Sequence, residues 1–281
     1  MDSIPVGPGR APFGSEAADV LSEFKPAVVS FHFGLPSAGI AGAGESLGLE
    51  RFSRRRRPLK RRVWLEAHGV DAIIAQGLEA GGHRGIFLSD DLSTQVGTIA
   101  LLPQIVQRSE ASGHCCWRHR GCKGVAAALA LGAAGVQIGT AYLLCPEATT
   151  ERDASRRAES EAARHTALTN SFTGRPARGI VNRIMKELGP ISTAPPAFPL
   201  ATAAIAPLRA KAESRGSGDF SPLWSGQNAS GCKEIPAAQL TRELATDIAR
   251  RPARRWLVWF VWQAQFEAVP PSPVVSLAST N

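Results

Sequence analysis

Apolar residues follow two rhythms along the chain. Three short runs, Ala27-Val-Val-Ser-Phe-His-Phe33, Val70-Asp-Ala-Ile-Ile-Ala75 and Ala134-Gly-Val-Gln-Ile138, are strand-length and rich in branched or aromatic residues. Such runs predict strands covered on both faces. Residues 98–106 and 124–131 carry apolar positions at helical spacing, the second stopped by Gly132, and predict helices. Residues 16–24 predict a short helix and residues 64–69 the end of another. Strand, helix and strand with short links imply βα units and a parallel sheet. The pattern changes after residue 146. A polar helix over 151–167, a loop over 173–179, an amphipathic helix over 181–188 closed by Gly189-Pro190, and a proline-interrupted helix over 198–214 predict an all-helical segment. Residues 236–251 read as a final amphipathic helix and residues 250–281 as an unstructured tail.

Composition narrows the class. With 27 glycines and 20 prolines in 281 residues, a plain helical bundle or coiled coil is excluded. No apolar run approaches the roughly 18 residues that a membrane span needs, and the first residues lack the apolar stretch of a signal peptide. Net charge is +8, but Arg51, Arg54, Arg55, Arg56, Arg57, Lys60, Arg61 and Arg62 account for it; the other 24 basic residues balance the 24 acidic ones. One segment is basic, not the protein, so a nucleic-acid partner is not expected. Five cysteines, an odd count without a secretory signal, predict a reduced, cytoplasmic chain. The cluster His114-Cys115-Cys116-Trp-Arg-His119-Arg-Gly-Cys122 looks like a metal site, yet adjacent cysteines without a second distant pair fit zinc poorly, so no metal is expected. The Trp256-Leu-Val-Trp-Phe-Val-Trp262 run is too short to span a membrane.

Two glycine-bearing loops carry candidate chemistry. In Gln76-Gly-Leu-Glu-Ala-Gly-Gly-His-Arg-Gly85, a strand end meets Gly81-Gly82, where no Cβ keeps a ligand from the backbone. His83 follows, with an ordinary pKa near 6.5 that suits proton transfer at neutral pH; the competing reading is a surface histidine in a turn. In Gln137-Ile-Gly-Thr140, the N–H groups of Gly139 and Thr140 stand after a strand, where barrels often bind phosphate; the competing reading is an ordinary strand-to-helix turn.

Taken together, Val28-Val-Ser-Phe-His-Phe-Gly-Leu-Pro36, Ala75–Gly85 and Gly135-Val-Gln-Ile-Gly-Thr-Ala-Tyr142 resemble the nitronate monooxygenases, formerly called 2-nitropropane dioxygenases. Asn170-Ser-Phe-Thr-Gly-Arg-Pro-Ala-Arg-Gly179, Gly216-Ser-Gly-Asp-Phe220 and Trp224-Ser-Gly-Gln227 extend the resemblance, which runs from about Pro12 to Arg250. It implies an α/β fold of the TIM-barrel (β/α)8 type with a helical cap after the last strand. It implies a non-covalent FMN cofactor and the oxidation of small-molecule nitronates or nitroalkanes with O2. It implies that Gln76, Gly81, Gln137, Ile138, Gly139 and Thr140 bind FMN and that His83 is catalytic. The expected organisation is a partial FMN-binding barrel over 1–146, a substrate cap over 147–225, a C-terminal barrel helix over 226–249 and the tail.

The sequence departs from the family in three places. The resemblance begins just before the family's fourth strand, so an incomplete barrel is expected, without the first three strands. Residues 50–62 and 112–123, where the fifth and seventh strands belong, do not match. Codons exist for residues 112–123 whose next frame reads Pro-Val-Ile-Ala-Ala-Gly-Gly-Ile-Ala-Asp-Ala, a buried strand and a glycine phosphate loop. Codons for residues 50–62 likewise read Ala-Ile-Leu-Ala-Ser-Ala-Thr-Thr-Val-Glu-Glu-Ala two bases on. Both segments are therefore expected to be out of frame. Two other readings compete: a flavin-dependent NAD(P)H:quinone or enoyl-thioester reductase of the same fold, similar around residues 79–85, and an inactive remnant that binds no flavin.

Overall fold

A computed structural model describes residues 13–24, 26, 28–35, 50–55, 65, 70, 72–107, 112–116, 121–148 and 161–246. Helix α1 (Ser15–Phe24) leads into strands β1 (Val28–Phe31), β2 (Glu50–Arg55) and β3 (Ala72–Gln76). Short strand β4 (Gly82–His83), helix α2 (Thr98–Val106), strand β5 (Ser112–Cys116), helix α3 (Gly121–Ala130) and strand β6 (Gly135–Val136) follow. Strands β7 (Thr166–Thr169) and β8 (Ala177–Ile180) precede helices α4 (Arg183–Glu187), α5 (Leu200–Glu213) and α6 (Ala237–Ala245).

Five strands form one parallel sheet in the order β1-β2-β3-β5-β6. Val28 lies opposite Glu50, Phe52 opposite Ala72, Ala72 opposite Ser112, and His114 opposite Gly135. Parallel pairing follows from the βα order, because a helix must carry the chain back before the next strand begins. β2 and β5 fall within the two segments expected to be out of frame, and each is a strand as the sequence stands.

The core explains why these segments adopt these elements. Every residue of β3 is buried, as expected for a strand covered on both faces. Ile73 and Ala75 pack with Leu101, Leu102 and Ile105 of α2, Val125, Ala128 and Leu129 of α3, and Leu240 and Leu244 of α6. Full burial of each large aliphatic side chain stabilises by about 1.5–3 kcal/mol. Gly132, at φ +95°, lies just past the end of α3; the left-handed conformation that ends a helix there favours glycine.

The segment after β6 is not all-helical. β4, β8 and β7 form a second sheet, antiparallel, in the order β4-β8-β7. Thr166 pairs with Ile180, and His83 with Ala177. Of the helix expected over 151–167, residues 151–160 lie outside the described set, Glu161–Arg164 form a 3-10 turn, and Thr166–Thr169 are a strand. Tertiary pairing overrides the helical bias of an Ala- and Arg-rich stretch. The loop expected over 173–179 ends early because Ala177–Ile180 is the central strand of this sheet. Gly179 fits that strand because an added Cβ would lie 2.8 Å from the Leu223 carbonyl oxygen, on the bridge between Gly179 and Trp224. The helices expected over 181–188 and 198–214 are α4 and α5. Of the helix end over 64–69 only Leu65 is described; the side chains of the cysteine-rich cluster and of the basic run, residues 56–62 and the tail lie outside the described residues.

Candidate active site

Loop 77–85 leaves the C-terminal end of β3 and is fixed by Gln76 at that end, by Arg84 within it and by Arg178 from β8. Gln76, 2% exposed, donates from Nε2 to the His83 carbonyl (2.9 Å) and accepts the Gly85 N–H on Oε1 (3.0 Å). Arg84 is 1% exposed. Its guanidinium donates to the carbonyls of Ala80 (2.5 Å) and Gly77 (2.8 Å) and to Gln95 Oε1 (3.0 Å). The Glu79 carboxylate accepts the Thr98 N–H at the start of α2 (3.0 Å), a favourable place for negative charge. Arg178 of β8 reaches back to the Leu78 carbonyl (3.0 Å) and to the Thr166 carbonyl (3.0 Å). Burial pushes its pKa down and nearby Glu79 pushes it up. An arginine so held ties the second sheet to the loop. Gly82, at φ +69°, makes the turn that presents His83.

His83 stands beyond the end of β3, on the edge of the second sheet, and is partly exposed. Its ring is edge-on to Phe33 (5.7 Å between centroids) and Phe198 (6.4 Å) and tilted against Trp224 (5.3 Å). Nε2 lies 2.9 Å from Thr173 Oγ1. The Arg175 guanidinium sits over Phe33 (4.4 Å) and Phe198 (5.4 Å), within cation–π range. The histidine is therefore walled by three aromatic rings, with one hydroxyl and one cation at its rim.

The second loop leaves β6. Ile138 is 5% exposed and its side chain belongs to the main core, so only its backbone is available to a ligand. Gly139 is exposed, and an added Cβ would meet no described atom within 4 Å. Thr140 begins a 3-10 turn, Thr140–Tyr142. Its Oγ1 accepts the Gly226 N–H (3.3 Å) and its carbonyl accepts the Cys232 thiol (2.9 Å). Tyr142 bonds Thr241 of α6 through its hydroxyl (3.0 Å), and burial pushes its pKa up to about 12.

One segment brings the two loops together. The Trp224 ring touches His83, Ser225 N–H donates to the Arg178 carbonyl (3.2 Å), Gly226 N–H reaches Thr140, and Gln227 N–H donates to the Glu79 carbonyl (3.1 Å). Gln76, Gly81 and His83 thus share one loop, Gln137 to Thr140 share the other, and residues 224–227 bridge them. The contacts of Phe33, Arg84, Thr173, Phe198 and Trp224 are not predicted by the sequence, although all but Phe198 lie in motifs that carry the resemblance. Among the described residues, no three His, Cys, Asp or Glu side chains gather as metal ligands, and no helix is long and apolar enough to cross a membrane.

The family model for nitronate monooxygenase matches residues 13–247. The chain is 36% identical over 230 residues to the nitronate monooxygenase of Pseudomonas aeruginosa, covering 82% of this chain and 65% of that protein. It is 38% identical over 231 residues to that of Paraburkholderia phytofirmans, covering 82% and 63%. The chain thus spans just under two thirds of the length of these relatives. Nitroalkane oxidase from Streptomyces ansochromogenes superposes with a TM-score of 0.76 at 34% identity, over 83% of this chain and 67% of that one. FabK from Thermotoga maritima, at 23% identity and a TM-score of 0.68 over 86% and 74%, shares the fold. The fold is of the TIM-barrel class, a class whose active sites lie in loops at the C-terminal ends of the parallel strands. By the family match over most of its length, and by the loops that this match encloses, the chain belongs to the nitronate monooxygenase family.

Proposed function

We propose that this chain oxidises nitronates and nitroalkanes with O2 in an FMN-dependent reaction. The observation that carries the reading is the pairing of an aromatic-walled His83 with an open backbone turn at Gly139, joined through residues 224–227. The turn fits a phosphate: the space beside Gly139 is clear of described atoms, and the start of a 3-10 turn supplies N–H groups for an anion. Gly139 and Thr140 would hold the FMN phosphate through their backbone, with Gln76, Gly81, Gln137 and Ile138 as the further contacts. FMN, when bound, supplies the electron acceptor for the substrate and the route of those electrons to O2. His83 takes a proton from the carbon of a neutral nitroalkane or, for a substrate that is already a nitronate, hydrogen-bonds the nitro oxygens. Phe33, Phe198 and Trp224 keep water from the reacting carbon. The second sheet and α5 are the proposed substrate cap, and the free thiols of Cys145 and Cys232 fit a cytoplasmic location.

The test is flavin content and O2 uptake with a nitronate, on the full chain and on His83→Ala. The expected result is bound FMN in both, with kcat/KM lower by about 10²–10⁴-fold in the variant, the usual share of a general acid or base. Unchanged turnover in the variant removes His83 from the mechanism. Steady NADH consumption without nitronate assigns the chain to the reductases, and a colourless folded protein assigns it to the remnants.

A further inference from the structure

We propose that Thr173 is a positioning residue that decides which nitrogen of His83 carries the proton, an assignment that rests on the role given to His83 above. One hydroxyl's contacts carry the assignment. Thr173 Oγ1 lies 2.9 Å from His83 Nε2, 3.3 Å from the Arg175 carbonyl oxygen, to which it donates, and 3.3 Å from the Arg175 N–H, from which it accepts. A hydroxyl has one hydrogen and two lone pairs. Directing the hydrogen to the Arg175 carbonyl and one lone pair to the Arg175 N–H leaves the second lone pair for His83. All three contacts are then satisfied only if Nε2 carries the hydrogen and donates it. A hydroxyl hydrogen turned to Nε2 would give up the carbonyl contact. In neutral imidazole a proton on Nε2 places the lone pair on Nδ1.

Both partners are held firmly enough for this contact to select a tautomer. Next to Thr173, Gly174 has φ +81°, and an added Cβ would lie 2.4 Å from Phe198 N, 2.5 Å from the Pro196 carbonyl oxygen and 2.7 Å from the Ala197 carbonyl carbon. The turn is pinned further by the Asn170 amide, which donates to the Ser192 carbonyl (2.8 Å) and accepts the Ser192 N–H (3.0 Å), and by Thr202 Oγ1 on the Phe172 carbonyl (3.2 Å). On the other side, Gln76 holds the His83 carbonyl while Phe33 and Trp224 pack its ring. The contact joins residues 90 apart in sequence, one on each side of the site.

The chemistry follows from the tautomer. When a neutral nitroalkane loses its proton, the C–H bond breaks, an Nδ1–H bond forms, and the electron pair moves onto the nitro oxygens. The resulting imidazolium keeps its Nε2–H bond to Thr173, so no proton has to move from one ring nitrogen to the other. A base oriented by a third group in this way is the general logic of an activated histidine.

The experiment is ¹⁵N NMR of histidine-labelled full-length protein at a pH where His83 is neutral, with His83→Gln identifying its signals among the six histidines. The expected result is a pyrrole-like Nε2 and a pyridine-like Nδ1 in the unaltered protein, a mixed or reversed pattern in Thr173→Val, and the original pattern in Thr173→Ser. Turnover of a neutral nitroalkane should fall about tenfold in Thr173→Val, a fraction of a full acid–base contribution, and recover in Thr173→Ser. A proton on Nδ1 in the unaltered protein, or a pattern that Thr173→Val leaves unchanged, overturns the proposal. If Thr173→Val does not fold, the unaltered protein and Thr173→Ser still decide it. A chain that oxidises no nitro compound yet shows the Nε2–H tautomer under Thr173 control defeats the proposed function and upholds this inference.

Discussion

After β3 the chain turns through Gly77, where an added Cβ would lie 1.8 Å from Thr98 Oγ1 and 2.5 and 2.6 Å from the two Glu79 carboxylate oxygens; after β6 it turns through Gly139, where an added Cβ meets no described atom within 4 Å. The two glycines follow strands of the same parallel sheet and read alike in the sequence. Gly77 is required by atoms already in place: Thr98 is fully buried, and the Glu79 carboxylate caps the start of α2. Gly139, at φ −117°, has a backbone that any residue adopts and space around it. Nothing in the described fold asks for glycine there. The difference separates a glycine that serves the fold from one that serves a bound group, and it gives the phosphate assignment a physical basis beyond likeness.

The sharpest way to break the contrast is to give both positions a side chain. Gly77→Ala should destabilise the protein by about 2–3 kcal/mol, the upper part of the range for overpacking a filled site. The new methyl must displace Thr98 Oγ1 and the carboxylate that caps α2. Urea unfolding of the two proteins side by side measures it; a loss below about 0.5 kcal/mol, ordinary for a surface change, would mean that the loop relaxes and the contrast is false. Gly139→Leu should leave urea stability within about 0.5 kcal/mol of the parent but weaken FMN binding about tenfold or more, as expected from losing one hydrogen bond to a charged group. Fluorescence titration with free FMN reads this directly, and an unchanged dissociation constant counts against the phosphate site.

How much of this was legible in the sequence depends on where each residue finds its partners. The parallel sheet was legible in part: β1, β3 and β6 and the faces of α2, α3 and α6 announce themselves through consecutive or helically spaced apolar residues, whereas β2 and β5 lie on the segments expected to be out of frame. The second sheet was not. Its strands have two to four residues each, and its central strand carries Arg178, a residue that reads as solvent-facing until Leu78 and Thr166 are seen to accept from it. Arg84 misleads in the same way. Between a histidine and a glycine it suggests a polar loop, yet it is buried because the loop folds its own carbonyls around the guanidinium. His83 and the 137–140 turn were visible as motifs, but the aromatic wall was not, since Phe33, Phe198 and Trp224 come from three distant parts of the chain. Local rhythm reports burial on a regular element; it does not report which loops meet.

The smallest expected effect tests whether the open turn is rigid behind its glycine. Tyr142 closes the 3-10 turn that begins at Thr140, and it is the single tyrosine of the chain, so alkaline absorbance change near 295 nm follows one group. Its pKa is pushed by burial up to about 12, above the ordinary value near 10. The fold therefore favours the neutral phenol. The stability that follows is fully present below about pH 10, where the phenol is neutral in both folded and unfolded chains, and is lost as pH rises through about 12. A midpoint near 12 in the folded protein, falling to about 10 in urea, is the expected result. The same midpoint should persist in Gly139→Leu, because the phenol hydroxyl is held by Thr241 of α6, while the tie to Gly139 runs from the Tyr142 N–H to the Gly139 carbonyl (3.0 Å) and a new side chain leaves it in place. In Gly77→Ala it should also persist, since that loop lies across the site. If Gly139→Leu alone lowers the Tyr142 midpoint, the turn has moved as a unit, and lost flavin in that variant would then report a displaced backbone instead of a blocked phosphate.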